Sequence, residues 1–142
     1  MLNEILLIGS IIVIYGMTLV LYRIFGKQGL YTFTIIATIG ANIEVLIVIN
    51  AFGMEMTLGN VLFASTFLIT DIISEIYGKK DAKLAVYLGI STSIAFIILS
   101  QWWLQYIPAE SDFAMPAMKT IFSNTPRLML TSMIVYAIVQ QF

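Results

Sequence analysis

The 142-residue sequence contains neither cysteine nor histidine. That excludes thiol nucleophiles, disulfides, histidine-ligated haem and the usual zinc ligand sets. No metal site and no cofactor is expected, and any chemistry falls to carboxylates, amides, hydroxyls, aromatic rings and backbone. Charge is scarce as well: 11% of the residues are Asp, Glu, Lys or Arg, where a soluble domain has about 25%. A net charge of -1 leaves no field suited to nucleic acid. What is abundant is apolar surface, with 60% of residues hydrophobic and a mean hydropathy of +0.96. So much apolar surface has to face lipid, and a spanning helix needs about 20 mainly apolar residues.

Five apolar segments meet or approach that length: residues 5–22, 30–52, 58–77, 84–104 and 126–142. At 1.5 Å per residue, 20 residues cover about 30 Å, the thickness of a bilayer core. The fold class expected is therefore all-α, a polytopic helical membrane protein forming a single transmembrane domain. The fifth segment is still running at residue 142, so the last helix is read as cut short. Residues 1–22 have the hydropathy of a signal peptide, but they carry Glu4, no Lys or Arg, and no A-x-A site follows. They read as a retained transmembrane helix.

Orientation follows from the basic residues. Arg23 and Lys27 lie between the first two segments, and Lys79, Lys80 and Lys83 between the third and fourth. An alternating topology puts both loops on one side, which the positive-inside rule makes cytoplasmic, with the N-terminus outside. The opposite loops hold Glu55, Glu110 and Asp112, and Lys119 and Arg127 are the only basic residues there. "QWWLQY", residues 101–106, reads as an outer aromatic belt. In the loop that follows, "AMPAMKTIF" fits either a short surface helix or a re-entrant turn. Ala37 and Ala41, and Ala85, Gly89 and Ser93, are small residues at helical spacing that allow close helix approach.

Polar residues inside the apolar segments are the candidates for function. An ionised Asp near a helix centre costs roughly 2.5 to 3.5 kcal/mol, so such groups face protein or a wet cavity. In segment 58–77, Asp71 lies about 5 Å past the midplane and Glu75 about 11 Å past it. The two are i,i+4, and Phe67, Thr70 and Ser74 are read as lying on or beside the same stripe, with Leu68 facing elsewhere. Glu75 has a competing role as the i,i+4 partner of Lys79. In the second segment Asn42 and Glu44 fall close to the midplane, with Glu44 on the face of Ala37, Gly40 and Ala41; Asn42 also suits a helix–helix hydrogen bond. In the fifth, Ser132, Tyr136 and Gln140 form an i,i+4,i+8 stripe with Arg127 at its outer mouth. Three polar faces suggest a shared cavity. A carboxylate accepts two parallel N–H bonds, which fits an amidine-like edge such as that of a guanine-type base, and an aromatic ring can stack on its plane. The same acids would also serve a cation or a proton relay.

The run "TLGNVLFASTFLITDIISEIYGKKDAKLAV", residues 57–86, resembles the signature of the queuosine precursor transporter family, also called the VUT family. "ANIEV" upstream and "PRLMLTSMIVYAIVQ" downstream fit its flanking blocks. The resemblance covers roughly residues 37–142. It implies a multi-pass inner-membrane (cell-membrane) protein that imports 7-deazaguanine compounds or queuine for tRNA modification. The residues matching by position are Asn42, Phe67, Thr70, Asp71, Glu75, Tyr77, Gly78, Lys79, Arg127 and Gln140.

Several features depart from the family pattern. Members continue past the helix ending in "AIVQQF" with an Asp-containing loop and further helices, so this chain reads as C-terminally truncated. Many have a Lys where Ile47 and Val48 stand, and the first helix looks like an extra span. The expected partners are a small deazapurine and the lipid bilayer, with no nucleic acid; a homo-oligomer, or the C-terminal half absent here, would complete the assembly. Two other readings stand beside import. One is a non-catalytic membrane subunit whose polar faces bind partner helices. The other is an intramembrane hydrolase, which would need a second facing Asp.

Overall fold

The computed structural model describes the backbone of residues 1–141 and the side chains of residues 1–139. Along the chain run α1 (Leu2–Phe25), α2 (Lys27–Glu44), β1 (Val48–Ala51), β2 (Met54–Thr57), α3 (Asn60–Tyr77), α4 (Lys79–Trp103), α5 (Met115–Phe122) and α6 (Thr125–Gln141). They group into two compact units, Met1–Gly89 and Ile90–Phe142, so that α4 begins in one and ends in the other.

In the first unit the single residue Gly26 separates α1 from α2, and the chain folds back on itself. The approach is close at Gly29, where a Cβ would sit 2.0 Å from the Leu21 carbonyl oxygen. α3 packs against α2 and α1. Its start lies beside Ala41 and Val45 at the end of α2, while Tyr77 at its far end lies against Lys27 at the start of α2, so the two helices are antiparallel. The core is the stripe that helical periodicity would select: Leu30, Phe33, Ala37 and Ala41 from α2, Leu62, Ile69 and Ile73 from α3, and Ala85 from α4. Ala37, Ala41 and Ala85 are buried, as close helix packing requires. Hydroxyls in the bundle return to their own helix, buried Thr34 Oγ1 donating to the Leu30 carbonyl at 3.0 Å and half-buried Thr38 Oγ1 to that of Thr34 at 2.7 Å. No polar partner from another element is then required.

Among the described residues, three helices are long and apolar enough to cross a membrane: α1, α3 and α4. Each exposes large apolar side chains, and α1 does so nearly all round, with Ile5, Leu6, Ile8, Ile12, Val13, Leu19 and Val20 uncovered. A surface of this extent suits a lipid bilayer.

The second apolar segment departs from the sequence expectation. The helix starts at Lys27 and stops at Glu44, and residues 48–57 form an antiparallel hairpin pairing Val48 with Thr57 and Ala51 with Met54. "VLIVIN" is rich in β-branched side chains, which favour the pleated conformation, and an unbroken apolar run has no periodicity to separate strand from helix. Phe52 and Gly53 turn the hairpin with φ of 53° and 74°, the two positive values that a type I′ turn needs. The Phe52 N–H donates to Glu4 Oε1 at 3.1 Å, and Asn3 Nδ2 donates to the Asn50 carbonyl at 2.8 Å. The hairpin is thus tied to the start of α1.

In the second unit the segment "AMPAMKTIF" resolves as a helix, α5, not a re-entrant turn. Pro116 occupies its first turn and Asp112 Oδ2 accepts the Met115 N–H at 2.8 Å. Gln101 Nε2 donates to the Phe122 carbonyl at 2.8 Å, and Phe96, Trp103 and Phe122 meet edge to face with centroids 5.8–6.2 Å apart. Of the expected aromatic belt, Trp103 makes these ring contacts while still exposed at one side, and Trp102 and Tyr106 are more exposed still.

Candidate functional site

α3 carries its polar residues on two faces, not one. Thr70 is buried against the bundle, its hydroxyl donating to the Phe67 carbonyl at 2.8 Å and to that of Thr66 at 3.2 Å. Phe67 is half-buried and meets Phe63 edge to face at 5.2 Å. Asp71 and Glu75 are exposed, on a stripe with Ala64 and Leu68. The expectation that Leu68 faces away from the acids is corrected here. Positions 64, 68, 71 and 75 step by four, three and four residues, which is the seam of a packed helix; Thr70 falls about 100° away, toward α2. The acids thus point away from the core of their own unit.

Their depth follows from the helix bounds. With α3 spanning Asn60–Tyr77, Asp71 lies about 4 Å beyond the helix centre and Glu75 about 10 Å beyond it. The Glu75–Lys79 partnership does not form. α3 ends at Tyr77, and Gly78, with φ 93° and ψ 167°, turns the chain before α4 begins at Lys79. That backbone region is open essentially to glycine alone. Among the described residues the ion pairs are the Met1 ammonium with Glu4 and Lys27 with Asp81; neither Asp71 nor Glu75 takes part.

Asn42 and Glu44 were expected near the midplane. Because α2 stops at Glu44, they sit instead in its last turn, at the hairpin end of the unit. Asn42 is buried and its Nδ2 donates to the Thr38 carbonyl at 2.6 Å, a bond within its own helix; Glu44 is half-buried. The start of α3 lies at this level, so Asp71 is displaced from Asn42 and Glu44 by roughly 15 Å along the helix axis. The first unit therefore brings Asp71 together with Glu75, and Asn42 with Glu44, but not the two pairs with each other. Tyr136 is buried in the second unit, Ser132 Oγ donates to the Leu128 carbonyl at 3.0 Å, and Arg127 is exposed. The Gln140 side chain lies outside the described residues.

Sequence reasoning missed a polar knot at the opposite end of the unit from the hairpin. Lys27 Nζ lies 3.0 Å from Asp81 Oδ2, and the Tyr31 hydroxyl is 3.2 Å from both Asp81 Oδ1 and the Asp81 carbonyl. Lys27 also stands over the Tyr77 ring at 5.4 Å, and the Tyr77 hydroxyl reaches that of Tyr22 at 3.4 Å. The hydrogen bond from Lys27 is the main reason that the Asp81 carboxyl is held below the usual aspartate range, with Tyr31 and Lys80 adding to it. Lys27 and Tyr31 are i,i+4 on α2, which was the visible signal. Asp81 was hidden among three lysines read only as topology determinants.

Long helices with lipid-facing surfaces, an outward pair of carboxylates on one of them and the cations gathered at one end define a multi-pass helical membrane protein. Residues 57–142 match the family described as "Putative vitamin uptake transporter", and the chain belongs to that family. It is also 38% identical over 125 residues to the "Probable queuosine precursor transporter" of Bacillus subtilis (strain 168). That alignment covers 88% of this chain and 55% of the relative, so the chain spans about half the length of the curated relative it matches. No solved structure matches. The family match begins at Thr57, the last residue of the hairpin, and takes in α3 to α6; α1 precedes it, as an extra first span would, and so does α2, although the resemblance was expected to reach back through the "ANIEV" block to about residue 37.

Proposed function

We propose that the chain forms part of a carrier, not an enzyme, that imports queuosine precursors, 7-deazaguanines or queuine, through the cell membrane, with its basic end toward the cytoplasm. The observation that carries this reading is the outward Asp71–Glu75 stripe on a membrane-spanning helix inside the family-matched region. A carboxylate at that depth needs water, protein or a ligand to solvate it. Asp71, closer to the centre, accepts the paired N–H donors of the base edge, and Glu75 lines the route to the basic end. Phe67 offers a ring beside the same helix turn, and Thr70 holds the inner face of α3 against the bundle. Asn42 and Glu44 flank the approach from the hairpin end. Tyr136 and Gln140 of α6 are candidates by sequence position alone.

Uptake tests the reading. In cells unable to make the precursor, Asp71→Asn in the complete reading frame should abolish uptake of labelled base and the appearance of queuosine in tRNA, while the protein still reaches the membrane. Uptake at the wild-type level would refute the assignment of Asp71.

The same exposed seam favours a second reading, a subunit that uses Asp71 to bind a helix of another chain. There, a stoichiometric partner would co-purify with the wild type and be lost with Asp71→Asn.

A further inference from the structure

The Lys27–Asp81 contact brings two short connections together that the sequence separates by more than 50 residues. Each alone is a small cluster, Arg23 and Lys27 on one side, Lys79, Lys80 and Lys83 on the other. Joined, they set five cations against Asp81 and, one turn inside α3, Glu75. Asp81 is occupied by Lys27 and the Tyr31 hydroxyl, so the remaining four cations keep their charge for an outside partner. Arg23, Lys79, Lys80 and Lys83 are all exposed, and none belongs to an ion pair among the described residues.

Directly below these cations the surface is apolar. On α4, Lys80 and Leu84 are i,i+4, as are Lys83 and Tyr87, so each lysine has an uncovered apolar side chain one turn deeper. On α1, exposed Leu19 and Val20 stand one turn deeper than Arg23. Cations over an apolar wall match a molecule with a negative head and hydrocarbon chains. Four to eight basic residues beside a membrane helix suffice to attract anionic lipid, at about a fivefold gain per residue.

We propose that the α1–α2 and α3–α4 connections together form a binding surface for the phosphate of an anionic phospholipid, whose acyl chains lie against Leu84 and Tyr87. Lys79, Lys80 and Lys83 hold the phosphate from α4 and Arg23 from α1. The Lys27–Asp81–Tyr31 knot makes one surface of the two halves. The lysines then do more than set topology: they fix where a particular class of lipid sits.

Native mass spectrometry of the purified chain tests this, with equimolar phosphatidylglycerol and phosphatidylcholine of identical acyl chains. The wild type should retain phosphatidylglycerol in preference. Its affinity should fall about fivefold for each lysine neutralised in K79Q, K80Q and K83Q, and should be kept by the triple arginine variant. Arg23→Gln, on the other connection, should lower it as well and guards against misfolding of the lysine variants. Equal retention of the two lipids, or a preference that survives both the triple glutamine variant and Arg23→Gln, would overturn the proposal. Displacement of the lipid by inorganic phosphate as readily as by competing phosphatidylglycerol would also overturn it, in favour of a site for free anions.

Discussion

Replacing Asp71 by leucine should make α3 a better membrane helix and a useless one for transport. Asp71 stands about 4 Å from the centre of α3, so it bears nearly the full central cost of an acid, about 3 kcal/mol on insertion scales, while leucine returns about 0.5 kcal/mol. The exchange should favour insertion by about 3.5 kcal/mol, a several-hundredfold shift in the partition constant at about 1.4 kcal/mol per decade. Glu75, about 10 Å from the centre and close to the boundary, should give a much smaller gain when replaced by leucine. The assay places residues 60–77 as a test segment between glycosylation sites in a translocon-insertion experiment and compares the singly and doubly modified products. A stability gain with loss of uptake is what a residue kept for function produces. If Asp71→Leu leaves insertion unchanged, or if Glu75→Leu improves it more, the depth assigned to the acids is wrong and the argument for Asp71 as the central site falls with it.

Two further outcomes follow from the packing and the knot. Gly29→Ala puts a Cβ 2.0 Å from the Leu21 oxygen and 2.4 Å from its carbonyl carbon, backbone atoms that move only if α1 and α2 part. It should cost about 3 kcal/mol or more and lower the Tm of the detergent-solubilised protein, while Gly16→Ala, where nothing lies within 4 Å, should not. The Asp81 carboxyl, held below its ordinary range by Lys27, makes a contribution to stability that is complete above the ordinary aspartate range. It is lost as pH falls through the depressed value. Thermal unfolding followed from neutral to strongly acidic pH should therefore show a fall in Tm in acid that is smaller in Asp81→Asn; identical pH profiles would remove the ion pair from the account.

Helix existence was legible because long apolar runs broken by Gly and charge admit little else. Four of the five expected segments appear as helices whose bounds differ by a few residues from those expected. The second segment failed at its end because Val45 to Ile49 is a continuous apolar run without periodicity, and strand or helix is then decided by pairing with residues 54–57 and by contacts from Asn3 and Glu4. The candidate site was half legible. That Asp71 and Glu75 share a face follows from 3.6 residues per turn alone. Which face, and beside which neighbours, did not follow, because Thr70 and Leu68 both lie within one turn of Asp71 and only packing against α2 tells them apart.

Composition and spacing by themselves determined that this is a helical membrane protein and that one spanning helix carries two acids a turn apart; of the five segments expected to span, three form helices long and apolar enough to do so among the described residues. These are properties of local geometry and of transfer from water to lipid, and each residue carries its share whatever its neighbours do. Tertiary structure alone decided the rest. It ended α2 at Glu44, separated Asn42 and Glu44 from Asp71 by level, turned the acids away from the core, and joined Lys27 to Asp81 across more than 50 residues. Those outcomes depend on which surfaces meet, and the energy of a contact between distant residues has no trace in the run of sequence around either one.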